Sequence, residues 1–204
     1  NGGVVRNIAS DQIADSANIV INQGQYHLNL LSETVASVTL NGGNVLTAPT
    51  TGTAVGGTFT ITGDLTVLGV DDLTGGTGTG FTIGNNSTTT VGGLITIGTY
   101  GRIHLSEGQT AGILNVNGGL QMTGALLSQN NRAGANIVRL SSDVTTLASM
   151  HPSRLGASTD SDTFLELNGT RTFTVADGLA GIDLSVSTVM RNSTAPAATG
   201  SFVK

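Results

Sequence analysis

The chain is written in short apolar-polar-apolar triplets punctuated by Asn-Gly and Gly-Gly pairs, and this grammar restricts the fold more than any other feature. The triplets include Ile19-Val20-Ile21, Val38-Thr39-Leu40, Phe59-Thr60-Ile61, Leu65-Thr66-Val67, Phe81-Thr82-Ile83, Ile95-Thr96-Ile97, Ile103-His104-Leu105, Leu114-Asn115-Val116, Leu120-Gln121-Met122 and Phe173-Thr174-Val175. Looser runs of the same kind occupy 27–30, 137–140, 164–167 and 182–186. A period of two marks a strand with one buried face. Each run offers only two or three inward side chains, whereas sandwich strands typically run about five or six residues or longer. Such a run is enough for one floor of a stack.

The punctuators are Asn41-Gly42-Gly43, Gly56-Gly57, Gly75-Gly76, Gly92-Gly93 and Asn117-Gly118-Gly119. Asn-Gly can close a hairpin through positive φ, and the same residues make the corners of a solenoid. The strands are many and uniformly short, and the glycine pairs recur at about one coil's spacing, which favours corners. The expected fold is therefore all-β, a parallel β-helix (β-solenoid) of about eight or nine coils. With rungs about 4.8 Å apart this gives a rod about 40 Å long.

Composition agrees. Three Glu and one Lys exclude a coiled coil or helical bundle, and 38% apolar residues with a net charge of -5 exclude a disordered chain. Trp is absent and aromatics are 3%, so the core must be aliphatic. One coil cannot bury its few aliphatics, but stacked coils share one interior. Threonine, as frequent as glycine, suits the outward strand positions. Asparagines at successive corners can form ladders along the rod, and low charge avoids stacking like charges.

An isoelectric point near 4.9 and seven dispersed arginines argue against nucleic acid, which demands a clustered basic surface. No run approaches the roughly 18 apolar residues of a membrane span, so the segment is not expected to cross a bilayer. The absence of cysteine removes disulfides, thiolate zinc sites and cysteine nucleophiles. A cysteine-free, lysine-poor chain is compatible with export, and an extracellular location is expected. The chain starts at Asn1 without a signal-peptide pattern and reads as an interior piece. The expected organisation is one continuous solenoid segment, 1–204, of a longer repeat protein, with an irregular excursion near 149–163 around Pro152.

Two stretches carry a resemblance. Ser10-Asp11-Gln12-Ile13-Ala14-Asp15-Ser16-Ala17, followed by Leu28-Asn29-Leu30, Ser32-Glu33-Thr34-Val35 and Val38-Thr39-Leu40-Asn41-Gly42-Gly43, resembles the autotransporter-associated β-strand repeat of long bacterial surface proteins. Leu167-Asn168-Gly169-Thr170-Arg171-Thr172-Phe173-Thr174-Val175-Ala176-Asp177-Gly178, with Ile182-Asp183-Leu184-Ser185-Val186, resembles another part of that repeat. With Ser141-Ser142-Asp143-Val144-Thr145-Thr146 these cover about half the chain. The closing Gly200-Ser201-Phe202-Val203-Lys204 looks like the lead into the family's next glycine-rich strand. The resemblance implies a secreted or bacterial-surface parallel β-helix, and it brings no catalytic residues. The stretch 47–99 departs from the best-matching pattern.

The candidate sites are few. Gly75-Gly76-Thr77-Gly78-Thr79-Gly80-Phe81-Thr82-Ile83 approaches the calcium β-roll nonapeptide, but Gly80 stands where the liganding Asp belongs, so the run reads as a solenoid corner. Asp71-Asp72 and Asp160-Ser161-Asp162 are the close acidic pairs, and carboxylate pairs do catalyse glycoside hydrolysis. The sharper version of that idea places Asp160, Asp162, Arg154 and His151 in one groove within 149–163, where an excursion could carry function. His27 and His104 occupy polar strand positions, pointing to solvent or stacking on an adjacent rung, with no third ligand to complete a metal site. Asn86, Asn168 and Asn192 fit the glycosylation acceptor pattern.

No catalytic, cofactor-binding or metal residues are assigned. The expected function is a non-catalytic structural or adhesive module that meets neighbouring repeats or other copies of itself end to end, because uncapped strand edges seek partners. The alternative is a carbohydrate-active or glycan-binding β-helix with a lateral groove for a surface glycan. That reading wants aromatic platforms, and Tyr26 and Tyr100 are the only tyrosines.

Overall fold

The computed structural model describes residues 2–48, 56–69, 80–84, 86–105, 111–129, 136–156, 163–194 and 199–203. These residues form a parallel β-solenoid of three sheets, with eight, seven and eight strands. Every strand pairing is parallel and joins one coil to the next. The chain turns from face one to face two to face three and back, as in Gln25–His27, Glu33–Val35, Ser37–Leu40 and Asn44–Leu46.

This makes seven to eight coils rather than eight or nine. The shortfall has a simple cause, since the coils are unequal in length. Ser37 meets Asn18 from 19 residues away, while Gly80 meets Asn44 across 36. A uniform coil of about 22 residues underestimates the later corners. At rung spacing the eight strands of face one span about 34 Å.

The triplets become rungs because their alternation matches the wall. Leu65–Val67, Ile95–Ile97, Leu120–Met122 and Val144–Thr146 each bury their first and last residues and leave the middle one partly exposed. Those middle residues fall in register on face three as Thr39, Thr66, Thr96, Gln121, Thr145 and Thr174. The interior is one continuous cluster running from Ile21 and Tyr26 to Leu167 and Phe173. Its thickest aromatic part is the Phe59–Phe81 stack, with centroids 5.9 Å apart and planes at 8°. Tyr26 meets Phe59 edge-on at 6.4 Å.

The glycine pairs among the described residues sit at corners, where close approach of successive coils requires them, while Gly75-Gly76 lies outside the described residues. A Cβ on Gly118 would fall 2.4 Å from the backbone of Gly93, and one on Gly43 would fall 2.1 Å from Cγ2 of Ile21. Side-chain ladders run beside them. Asn41 Nδ2 donates to Asn22 Oδ1 at 2.9 Å, and Asn168 Nδ2 donates to Ser141 Oγ at 3.1 Å.

At the N-terminal end of face two the ladder stops at Glu33–Val35, and residues 8–17 cross the core there without forming a strand. Glu33 makes this crossing possible. It occupies the inward position in register with Phe59 and is 1% exposed. Its Oε2 accepts from Asn7 Nδ2 at 3.0 Å, Gln12 N at 3.0 Å and Ile13 N at 3.3 Å. A buried carboxylate thus satisfies backbone donors that a strand would otherwise have paired.

Candidate functional site

Surface chemistry on a solenoid is built by columns, since each outward position repeats on the next coil about 4.8 Å away. The longest polar column runs along face two through Thr34, Thr60, Thr90, Asn115, Arg139, Glu166 and Arg191. Asn115 donates to Thr90 Oγ1 at 3.0 Å and accepts from Arg139 Nη1 at 2.9 Å. Glu166 then takes Arg139 Nε at 2.8 Å on one side and Arg191 Nη2 at 2.8 Å on the other. The Arg191 guanidinium also lies 3.5 Å from the centre of the Phe164 ring. Burial pushes the Glu166 carboxyl up, but hydrogen bonds from Arg191, Arg139 and Thr194 and the charge of Arg139 outweigh it, leaving it below its ordinary value. Each charged side chain in this column bonds a residue on a neighbouring rung, so the column fastens coils together.

His27 and His104 share one column of face one, but Leu46 and Thr82 stand between them. Three rungs separate the rings by about 14 Å, too far to share a ligand. His27 bonds Gln25 Oε1 at 2.9 Å. His104 does not face solvent: it is 3% exposed, and Nδ1 lies 2.6 Å from Ser128 Oγ on the next rung and 2.8 Å from Arg102 Nη2. Burial, and then the Arg102 charge, lower its pKa to about 3. A serine beside a histidine could suggest a nucleophile and base, but an imidazole that stays neutral down to such a pH accepts a proton poorly at neutrality. The strand pattern alone could not reveal this burial, because alternation assigns His104 the outward position between inward Ile103 and Leu105.

His151 belongs to a different contact. Its Nε2 lies 3.1 Å from Tyr100 Oη and its ring 5.3 Å from the phenol, over the corner that holds Gly124. A side chain at Gly124 would strike Ser149 Oγ at 2.5 Å, and its φ of 53° already favours glycine. Tyr100, half-buried at φ 63°, is held against protein. Tyr26 is in the core at 4% exposure, so it is not a sugar platform.

Of the groove proposed within 149–163, Asp160 and Asp162 lie outside the described residues. Ser153–Leu155 forms a regular rung of face one, paired to Leu126, Leu127 and the strand Leu184–Val186, and Arg154 points outward and exposed. Asp71-Asp72 and residues 75–79 of the nonapeptide also lie outside. Its end, Gly80–Ile83, is a rung whose Gly80 N donates to Asn44 Oδ1 at 2.7 Å. Of the acceptor asparagines, Asn86 and Asn192 are exposed, whereas Asn168 is half-buried and bonded to Ser141. Among the described residues no group of three or more His, Asp or Glu is placed to hold a metal ion.

Apolar surface and strand edges lie at the ends of the rod. Among the described residues Val4–Arg6 and Asn18–Ile21 are the first strands of faces one and three, each paired on one side only. Beside them opens a hollow of about 520 Å3 lined by Val5, Ile13, Ile19, Val20, Ile21 and Tyr26 among others. Val4, Val5 and Val20 are 56%, 65% and 58% exposed. At the other end the last strands are Leu184–Val186, Val189–Asn192 and Ser201–Val203, with Val189 and Val203 about half exposed. Sequence periodicity identifies the rungs, but it cannot tell which rung is terminal. No protein-family model, curated protein or solved structure matches the chain.

Proposed function

We propose that the chain is a non-catalytic structural or adhesive rod of a large secreted or bacterial-surface protein, of the kind the autotransporter-associated repeats represent, and that it joins neighbouring repeats or other copies end to end. The observation that carries this reading is the state of the two ends. Among the described residues both present parallel strands with one unpaired edge, and the N-terminal hollow is lined by isoleucines beside exposed valines. Unpaired edges and contiguous apolar surface seek partners. Because the two ends differ, contact between them is head to tail, and a head-to-tail contact directed along the rod axis extends a filament. The threonine-rich, weakly charged walls suit a rod that projects into solvent.

Sedimentation velocity across a wide concentration range tests this reading. The chain is expected to associate as concentration rises, and Val5→Lys with Val20→Lys, placing charge on the N-terminal end, is expected to return it to monomer. A single monomeric species for the unaltered chain throughout the range would overturn the end-to-end reading.

A further inference from the structure

At the corner between faces two and three, successive coils leave a lateral notch of about 400 Å3. Its walls include Leu94, Gly118, Gln121, Asp143, Thr145 and Arg171, drawn from four consecutive coils. The notch exists because the corner cannot carry side chains. A Cβ on Gly118 would collide with Gly93, and the backbone of Gly119, at φ 137°, favours glycine. The floor is therefore bare between Leu94 on one side and Asp143 with Arg171 on the other.

The polar groups around it are fixed but not exhausted. Asp143 Oδ1 accepts from Thr172 N at 2.9 Å, and Arg171 Nη1 donates to Ser141 O at 2.6 Å. These bonds hold both side chains in place. Asp143 Oδ2, Arg171 Nη2, the Gln121 amide and the Thr145 hydroxyl make no hydrogen bond among the described residues. Gln121 and Thr145 stand one above the other in the outward column of face three. Leu94, 37% exposed, adds apolar surface. The notch thus offers an anionic acceptor, a cationic donor, an amide able to do both, and an aliphatic contact, all mounted on rigid rungs.

We propose that this notch binds a neutral oligosaccharide. Sugar hydroxyls donate and accept together, and the ring C–H face matches Leu94. The opposite charges of Asp143 and Arg171 leave a polyanion or a polycation one repulsive group, and an uncharged polyol none. Three rung spacings, about 14 Å, suit a stretch of extended chain better than a single sugar. The inference is independent of the end-to-end reading, since the notch lies on the side of the rod.

Isothermal titration with cellohexaose, laminarihexaose and hexa-N-acetylchitohexaose, with polygalacturonate as the charged probe, tests it. At least one neutral hexamer is expected to bind. Gln121→Ala, whose side chain supports no neighbour, is expected to weaken binding by about two- to tenfold, the effect of one hydrogen bond. Thr145→Trp is expected to abolish binding by filling the notch, and Thr39→Trp, on the same column but four rungs away, to leave it intact. If Thr145→Trp disturbs its rung, Gln121→Ala still decides. Failure of every neutral hexamer to bind at millimolar concentration, binding of polygalacturonate alone, or indifference to Gln121→Ala would overturn the proposal.

Discussion

Arg139 and Glu166 occupy facing positions on adjacent rungs of face two, with Nε 2.8 Å from Oε2, and the carboxylate is fully shielded from solvent. Arg191 closes the other side at 2.8 Å. Removing the charge from one member of such a group leaves its partners poorly compensated. Glu166→Gln is expected to destabilise the rod by about 3 kcal/mol at neutral pH, measured by chemical denaturation. The folded-state pKa of Glu166 is lowered, so its contribution is complete above the ordinary carboxylate range and is lost as pH falls through the depressed value. The gap between the original chain and Glu166→Gln should therefore shrink on acidification. A gap independent of pH would contradict this account.

His104 provides a second acid-sensitive element of different origin. Its folded pKa is lowered to about 3 against 6.5, so the unfolded chain takes up a proton first as pH falls. Stability should decline from about pH 6.5 downward. In NMR titrations the imidazole of His104 is expected to show no protonation step between pH 8 and 4 in the folded rod. A midpoint near 6 would show that the ring is not held buried beside Arg102.

Tyr26 sets the alkaline limit. Burial, reinforced by the Glu33 charge, pushes its pKa up to about 12, and its hydroxyl donates to Asn7 Oδ1 at 3.1 Å. A raised folded value means the neutral phenol is favoured in the native state, so its contribution is complete below pH 10 and is lost as pH rises through about 12. Absorbance titration at the tyrosinate band is expected to show one residue ionising near pH 12, and Tyr26→Phe should remove that step. Ionisation of Tyr26 near pH 10 in the folded chain would disagree.

Two glycine substitutions separate corner packing from general intolerance. Gly118→Ala forces a methyl group against Gly93 backbone and is expected to cost about 1–3 kcal/mol, as overpacking does. Gly181→Ala meets nothing within 4 Å and should change stability by about 0.5 kcal/mol or less. Equal effects, measured by thermal unfolding, would count against a tight stack at the Gly93–Gly118 corner.

Much of the architecture is legible in the residues because alternation and corner glycine report local requirements. Rungs such as Leu65–Val67 and Ile95–Ile97 follow directly from their triplets. Other rungs hide because their inward residues are polar. Thr88–Val91 buries Thr89, and Glu33–Val35 buries Glu33, so neither reads as apolar alternation. The run 27–30 misleads in the opposite direction. Its strand lies earlier, at Gln25–His27, and Asn29 and Leu30 turn the corner with φ of 57° and 68°. The face-two column and the notch depend on register between residues about 25 apart. That information resides in coil lengths, which corner insertions vary.

The most direct test of the stacked-coil account is the distance between spin labels placed along one outward column. The chain has no native cysteine, so Thr39→Cys can be paired in turn with Thr145→Cys and Thr174→Cys and labelled cleanly. Double electron-electron resonance should give separations of about 19 Å and 24 Å, rising by one rung per coil, although the second pair is 29 residues further apart in sequence. Separations that fail to grow by about 5 Å between the two pairs would contradict a single column of parallel coils.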